Sequence, residues 1–546
     1  MTPQMRLIHS SALRYALYAL LALTTYSLIL AWGARSEQIE KAQATVQQQA
    51  MTEMLQMSAS QADVVRIQTD VLQLAVQRTG GDIIEASLMQ YPVSTHNHNP
   101  LPLLLNTPER FYIAQSGLGG RDGFDVRTRS RPEYQVQQSE YVIDSDTGSI
   151  EIPMQFSKNG ISVTKTYTLN QGSYLIQVRH RVVNRSGAPI YLRQFGTLRR
   201  DSLAPLEGDS QGLGLAGYVG GATTSPEELY LKLDFDDIEQ IPYVREQALG
   251  GWIAVLQRYF LSAWIPDPDG EYNYRARRLG GEAENARYQY GFASAEEVRI
   301  DEGEEHTFSA NLYLGPKIYG NLKQLAPNLE LAVDYGWLFF IGEPLFLLLQ
   351  WLHDYTDNWG WAIVLLTLTV KVAFFWLSNA GYRSTSRMRL LSPMLTELRE
   401  RFPDDRQKQM QESMALYRRH KINPLGGCLP LLIPMPIFIA LYWVLIESVE
   451  LRQAHFALWI SDLSSPDPYY ALPLLMGASM LVMQQLSPPP PNLDPMQARM
   501  LKFMPVAFTL FFLWFPAGLV LYWLINNMFS MTHQYIVNQN TQRKGL

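Results

Sequence analysis

A single cysteine, Cys428, is present in the 546-residue chain, so no internal disulfide can form and any exported region must be held by its own core. Charge is also scarce. Asp, Glu, Lys and Arg make up 18% of residues, below the usual quarter, and the net charge of −6 carries no global nucleic-acid signature. There is no P-loop, no GxGxxG after a strand pattern, no CxxC and no solenoid-length repeat. Nucleotide-driven, dinucleotide-dependent and dithiol chemistry therefore have no foothold in the sequence.

Present instead are aromatics (12% of residues, with 12 Trp) and long apolar runs, a pairing that fits a membrane protein with interfacial belts. Leu13 to Trp32 is the first run, with Arg6 and Arg14 near its start. It exceeds the 7–15 residues of a signal core, and Ala31-Trp32-Gly33 is a poor cleavage site, so an uncleaved anchor with a cytoplasmic N-terminus is expected. The polar, Gln-rich stretch after it reads as a tether. Trp359 to Asn379 is the run that carries chemistry. Between Ala362 and Leu377 it is apolar except for Thr367, Thr369 and one full charge, Lys371. A cation inside a span costs at least ~2.5–3.5 kcal/mol on insertion scales. On a straight helix Thr367, Lys371 and Ser378 share a narrow arc, as they would beside a wet cavity. The competing reading is a lysine that snorkels to the headgroups.

From about Ala62 to Asn328 the texture is that of short alternating strands. Ile150–Phe156, Ile161–Leu169, Tyr174–Val183 and Ile190–Leu198 are separated by turn clusters such as Ser157-Lys158-Asn159-Gly160. Tyr174, Ile176, Val178 and Val182 fall on one face, Gln177, Arg179 and Arg181 on the other. A large antiparallel β-sandwich is expected. His96 and His98 have no third ligand at recognisable spacing, and His180 and His306 stand alone. All four read as surface residues, as does the acidic turn Asp301–Glu305, and no catalytic constellation emerges.

Topology follows from charge. The segment Ala380–Lys421 has ten basic and five acidic residues, net +5, and belongs on the cytoplasmic side. It reads as a helical hairpin with arms near Arg387–Arg401 and Asp405–Lys421, capped by Asp404 or Asp405. For that loop to be inside, Tyr335–Leu352 must lie along the outer surface rather than cross. Spans are then expected at Trp359–Leu377, Leu425–Val444, Tyr470–Leu486, Met504–Phe515 and Leu519–Tyr535. The resulting division is an anchor at 1–35, a tether at 36–61 and a β-sandwich domain at 62–330. An interfacial amphipathic helix at 331–357 and a helical core at 358–546 follow, the core containing the hairpin at 380–421.

Asn423-Pro424-Leu425-Gly426-Gly427-Cys428 with the following LPLLIPMPIFIALYWVL, Glu450–Leu463 (ELRQAHFALWISDL), Asp467-Pro468-Tyr469-Tyr470 and Phe511–Tyr522 (FFLWFPAGLVLY) strongly resemble the YidC/Oxa/Alb family of membrane insertases. The resemblance is specific from about Asp334 onward and looser in the β region, as at Gly117–Gly123 and Trp252–Pro266. It implies a multi-span α-helical membrane protein, a five-helix insertase core plus one N-terminal span, with a large periplasmic all-β supersandwich domain. It further implies a groove open to cytoplasm and lipid in which a cation holds the hydrophilic end of an incoming chain. Lys371 stands where the family usually carries arginine, which keeps the attraction but loses the bidentate fork. By position, Thr367, Tyr522 and Asn527 would line the groove with Lys371, and Met435, Pro436, Phe438 and Phe512 the apolar exit path. Implied partners are nascent inner-membrane proteins, the Sec translocon, membrane lipids, and the ribosome and signal recognition particle receptor at the cytoplasmic loops. Neither cofactor, metal, enzymatic step nor specific nucleic acid is implied, and the location is the bacterial inner membrane with both termini cytoplasmic. Two other classes stay open on the residues alone. A secondary transporter would need repeat-related halves and paired intramembrane charges, and a membrane-tethered carbohydrate-binding or carbohydrate-modifying protein would need a carboxylate pair in the β region.

Overall fold

The computed structural model describes residues 63–95, 97–125, 130–144, 148–205, 217–281, 286–403, 405–420, 434–486 and 495–544. The first apolar run, its tether, His96 and Cys428 lie outside them.

Asp63 to Pro316 forms two large sheets, one of eleven strands and one of nine. The expected meander is there. Ser149–Lys158 pairs antiparallel with Ile161–Asn170, which pairs with Leu175–Asn184. The first hairpin turns on Asn159-Gly160, both with positive φ (51° and 75°), the conformation a two-residue hairpin loop demands. A side chain at Gly160 would collide with the Arg185 carbonyl. Ile176, Val178 and Val182 are fully buried while Gln177 and Arg181 are exposed, as their alternation requires. His180 corrects the surface reading. It lies on the buried face, both ring nitrogens lack a partner, and burial holds its pKa well below the usual value.

The core between the sheets contains a polar rivet. Lys165 is fully buried on the strand beside His180, and its ammonium donates to the carbonyls of Gly80 (3.1 Å), Gly81 (2.7 Å) and Ser116 (3.0 Å) in the opposite sheet's segments. Arg131 bridges Asp82 and Asp125 alongside. Burial drags the Lys165 pKa down to about 7, against the pull of Asp82. A buried charge is tolerated only when its donors are met, and three carbonyls meet these.

The helical region begins with α1 (Phe339–Thr356), which follows a 3-10 turn at Gly336–Leu338. It buries Gly342, Phe346, Leu349 and Leu352 along one face and leaves Phe340, Trp351 and Tyr355 exposed on the other. Next come α2 (Trp359–Ala373) and α3 (Phe375–Leu390), where one straight span was expected. The two meet at 69°. At about 1.5 Å per residue α2 is only ~22 Å long, short of a ~30 Å hydrocarbon core. The hairpin consists of α4 (Ser392–Arg401) and α5 (Arg406–Arg419), closed by the buried seam Leu391, Leu395 and Tyr417. Asp405 caps the second arm by accepting from the Lys408 amide at 2.9 Å. The first arm differs from expectation by a break at Leu391. Then follow α6 (Pro434–Glu447), α7 (Ala471–Leu486), α8 (Pro495–Phe512) and α9 (Ala517–Lys544). α8 begins nine residues before, and α9 ends nine residues after, the apolar stretches that suggested them, about two and a half turns in each case, and α8 stops three residues short of Phe515. Among the described residues no single helix is long and apolar enough to cross a membrane by itself, whereas the bent pair α2–α3 is, and α6 and α7 are shorter apolar helices.

The β domain is fastened to the helices by groups that the linear sequence keeps far apart. Lys317, just past the last strand, pairs with Glu447 at the end of α6 at 3.0 Å, and both side chains are almost fully buried. Arg452 donates to the carbonyls of Pro92 and Val93, each at 2.9 Å, with its guanidinium over the Phe260 ring. Removing one member of a buried pair leaves an uncompensated charge, at a cost of about 3–5 kcal/mol, while replacing both by apolar residues is often neutral. Glu447→Ala is therefore expected to lower the unfolding midpoint of detergent-solubilised protein clearly, and Lys317→Met combined with Glu447→Leu to lower it far less. Equal losses in the two variants would show that the pair is not what ties the two parts.

Candidate functional site

The Lys371 environment is built by the α2–α3 break and by α9. Asn358 caps α2, its side chain accepting from the Trp361 amide at 3.1 Å and donating to the Phe456 carbonyl at 3.1 Å. That fixes the N-terminal end of α2. At its C-terminal end both flanks of the break are held against α9. Lys371 Nζ donates to Ser530 Oγ at 2.8 Å, and the Phe375 ring stacks on His533 at 4.5 Å, nearly parallel. Ser530 in turn donates to the Asn526 carbonyl at 2.8 Å, so its oxygen is free to accept.

Between the bent pair and α9 lies a cavity of about 810 Å³. One wall is Lys371, Ser378, Asn379, Tyr382, Arg383 and Arg387, and the other includes Ser530, His533, Asn540 and Thr541. Three cations thus face it, and among the described residues no Asp or Glu lines it. Lys371 is half-buried while Arg383 and Arg387 are exposed, so the arginines stand at the mouth. A low-dielectric cleft with charge of one sign concentrates ligands of the other. The charge of its lining is complementary to an anion. Among the described residues there is also no cluster of metal-ligating side chains.

Of the four expected groove residues, Lys371 lines the cavity and the other three are not among its lining residues. Thr367 is 1% exposed and its hydroxyl donates to the Ile363 carbonyl of its own helix at 2.7 Å. Asn527 donates to Ser479 Oγ at 2.9 Å and so ties α9 to α7. Tyr522 is buried against Phe438, with ring centres 6.3 Å apart. Of the exit-path residues, Phe438 and Phe512 converge on Trp523, at 4.5 and 5.6 Å, making an aromatic seam where α6, α8 and α9 meet. Met435 and Pro436 are exposed. Sequence reasoning missed Arg383, Arg387, Ser530 and His533. A straight helix would carry Arg383 about 120° and Arg387 about 160° around from Lys371, and only the bend turns all three to one cavity.

Comparison with known proteins assigns both halves of the chain. The model described as YidC periplasmic domain matches residues 64–348, and the one described as 60Kd inner membrane protein matches residues 351–544. The membrane protein insertase YidC of Hahella chejuensis is 44% identical over 492 residues, covering 90% of this chain and 85% of its own. That of Marinobacter nauticus is 41% identical over 565 residues, covering 97% and 98%. A crystal structure of an active YidC insertase, 17% identical, aligns over 87% of this chain and 92% of its own with a TM-score of 0.37.

The Asn527–Ser479 bond can be tested as one interaction. Either alanine variant is expected to cost about 1–3 kcal/mol, the penalty for leaving a buried polar group unmet. Asn527→Ala with Ser479→Ala should cost clearly less than the sum in a double-mutant unfolding cycle. Additive losses would show that the two side chains do not act through each other.

Proposed function

Because this chain belongs to the YidC family of membrane protein insertases, we propose that it inserts inner-membrane proteins by holding a hydrophilic segment of the client at Lys371. It is a multi-span helical membrane protein with a large all-β periplasmic domain, and insertion makes and breaks no covalent bond. The observation that carries the groove reading is a cation in a cavity whose described lining holds no carboxylate. An incoming acidic side chain supplies the missing charge. Ser530 keeps the ammonium met between clients, and a neutral hydroxyl is easily displaced by a carboxylate, whose charge-assisted bond is about twice as strong.

Release follows from what comes next in the client. Its apolar segment passes the aromatic seam of Phe438 and Phe512, with Met435 and Pro436 on the exposed side, and enters lipid. Burial of apolar area contributes ~25 cal/mol per Å², and the membrane potential favours outward movement of an acidic segment by ~2.3 kcal/mol per charge per 100 mV. No nucleotide is required. The basic hairpin and family likeness support contacts with the ribosome and the signal recognition particle receptor, and the likeness alone supports cooperation with the Sec translocon. The proposed orientation has both termini and the hairpin in the cytoplasm, the β domain in the periplasm and α1 along the outer surface.

Purified protein in liposomes should insert a small client with an acidic translocated segment without any partner. Lys371→Arg should retain activity, while Lys371→Ala should lose about tenfold or more, equivalent to ~1.4 kcal/mol, on the acidic client and little on a neutralised one. Equal support of both clients by Lys371→Ala would remove the groove cation from the mechanism. For orientation, single cysteines at exposed Ser162 and Gln411 in a Cys428→Ser background should react with an impermeant thiol reagent from opposite sides. Reaction of both from one side would overturn the topology.

A further inference from the structure

We infer that Arg383 and Arg387 form a second anion station at the mouth of the same cavity, so that the groove selects clients by the spacing of their acidic residues. This rests on the insertase reading and adds a specificity rule to it. The two arginines are one turn apart on α3 and share a face, and like charges so placed repel. Among the described residues neither has an ion-pair partner, and both line the cavity together with Lys371. A pair held open in this way is matched by a carboxylate accepting from both guanidinium groups.

The separation of the stations follows from the bend. Counted from Phe375, where α3 starts beside Lys371, Arg383 and Arg387 lie about 12 and 18 Å along the helix at 1.5 Å per residue. An extended polypeptide covers ~3.3–3.6 Å per residue. Two acidic residues about four to five positions apart can therefore occupy the arginine pair and Lys371 together. The facing wall offers Ser530, Asn540 and Thr541, side chains that hydrogen-bond an extended peptide between the two stations. That wall, and the continuity of the arginines with the deep cation, favour an acidic peptide over a lipid phosphate as the occupant.

The test uses full-length protein in phosphatidylcholine vesicles, with and without phosphatidylglycerol. The clients are identical except for a translocated segment bearing one Asp, or two Asp separated by two, five or ten positions. Wild type is expected to insert the five-spaced client several-fold better than the two- or ten-spaced ones. Arg383→Gln with Arg387→Gln should flatten that dependence and lower the five-spaced client more than the single-Asp client, and Arg383→Lys with Arg387→Lys should restore much of it. Wild-type insertion without dependence on spacing overturns the second station and leaves the insertase reading standing. So does an equal loss on all clients with the glutamine variant, or a dependence that appears only with phosphatidylglycerol, which assigns the arginines to lipid headgroups. Failure of wild type to insert any client overturns the insertase reading itself.

Discussion

An ammonium group on an otherwise apolar helix must have a donor target and some water, and most of the helical region can be understood from that demand on Lys371. A carboxylate partner would neutralise it and leave nothing for a ligand to gain. A hydroxyl, Ser530, meets one proton donor and leaves the charge uncompensated. The cavity beside it exists because α2 stops at Ala373 and the chain turns by 69° into α3. Both flanks of the turn are pinned to α9, one through the lysine itself and the other through Phe375 on His533. The charge and the bend are thus parts of one arrangement.

The β domain is joined to this region by buried polar groups at a few points, which makes the connection specific in geometry rather than merely adhesive. Lys317 with Glu447, and Arg452 with the Pro92 and Val93 carbonyls, can be satisfied in only one relative placement. Glu447 ends α6, the helix that carries Phe438 into the aromatic seam. The β domain therefore holds a fixed purchase on the helix that forms one side of that seam. Inside the domain Lys165 does for the two sheets what Lys317 does for the two parts of the chain.

Local features were the legible ones. Alternation placed Ile176, Val178 and Val182 inward, Asn159-Gly160 marked a hairpin, and Asp405 capped a helix as its position suggested. These depend on neighbours in sequence. The bend at Phe374 does not, since no proline or glycine lies between Gly360 and Gly381. It is held by contacts to α9 more than 150 residues later, so Arg383 and Arg387 looked like mere topology charges. The burial of His180 and Lys165 was readable in part. Both share a face with apolar neighbours, Val178 and Val182 in one strand and Val163 and Tyr167 in the other, but nothing local announced the carbonyls that receive the lysine.

The central claim is that sign of charge, not shape, is what the groove reads. It is tested most directly by exchanging the charges between protein and client in vesicles with no imposed membrane potential. Lys371→Glu should insert an acidic client poorly and recover on the same client with its acidic residues replaced by lysine, while the wild-type protein shows the opposite preference. If both proteins rank the two clients in the same order, Lys371 does not hold its substrate by charge, and the electrostatic account of the groove is wrong.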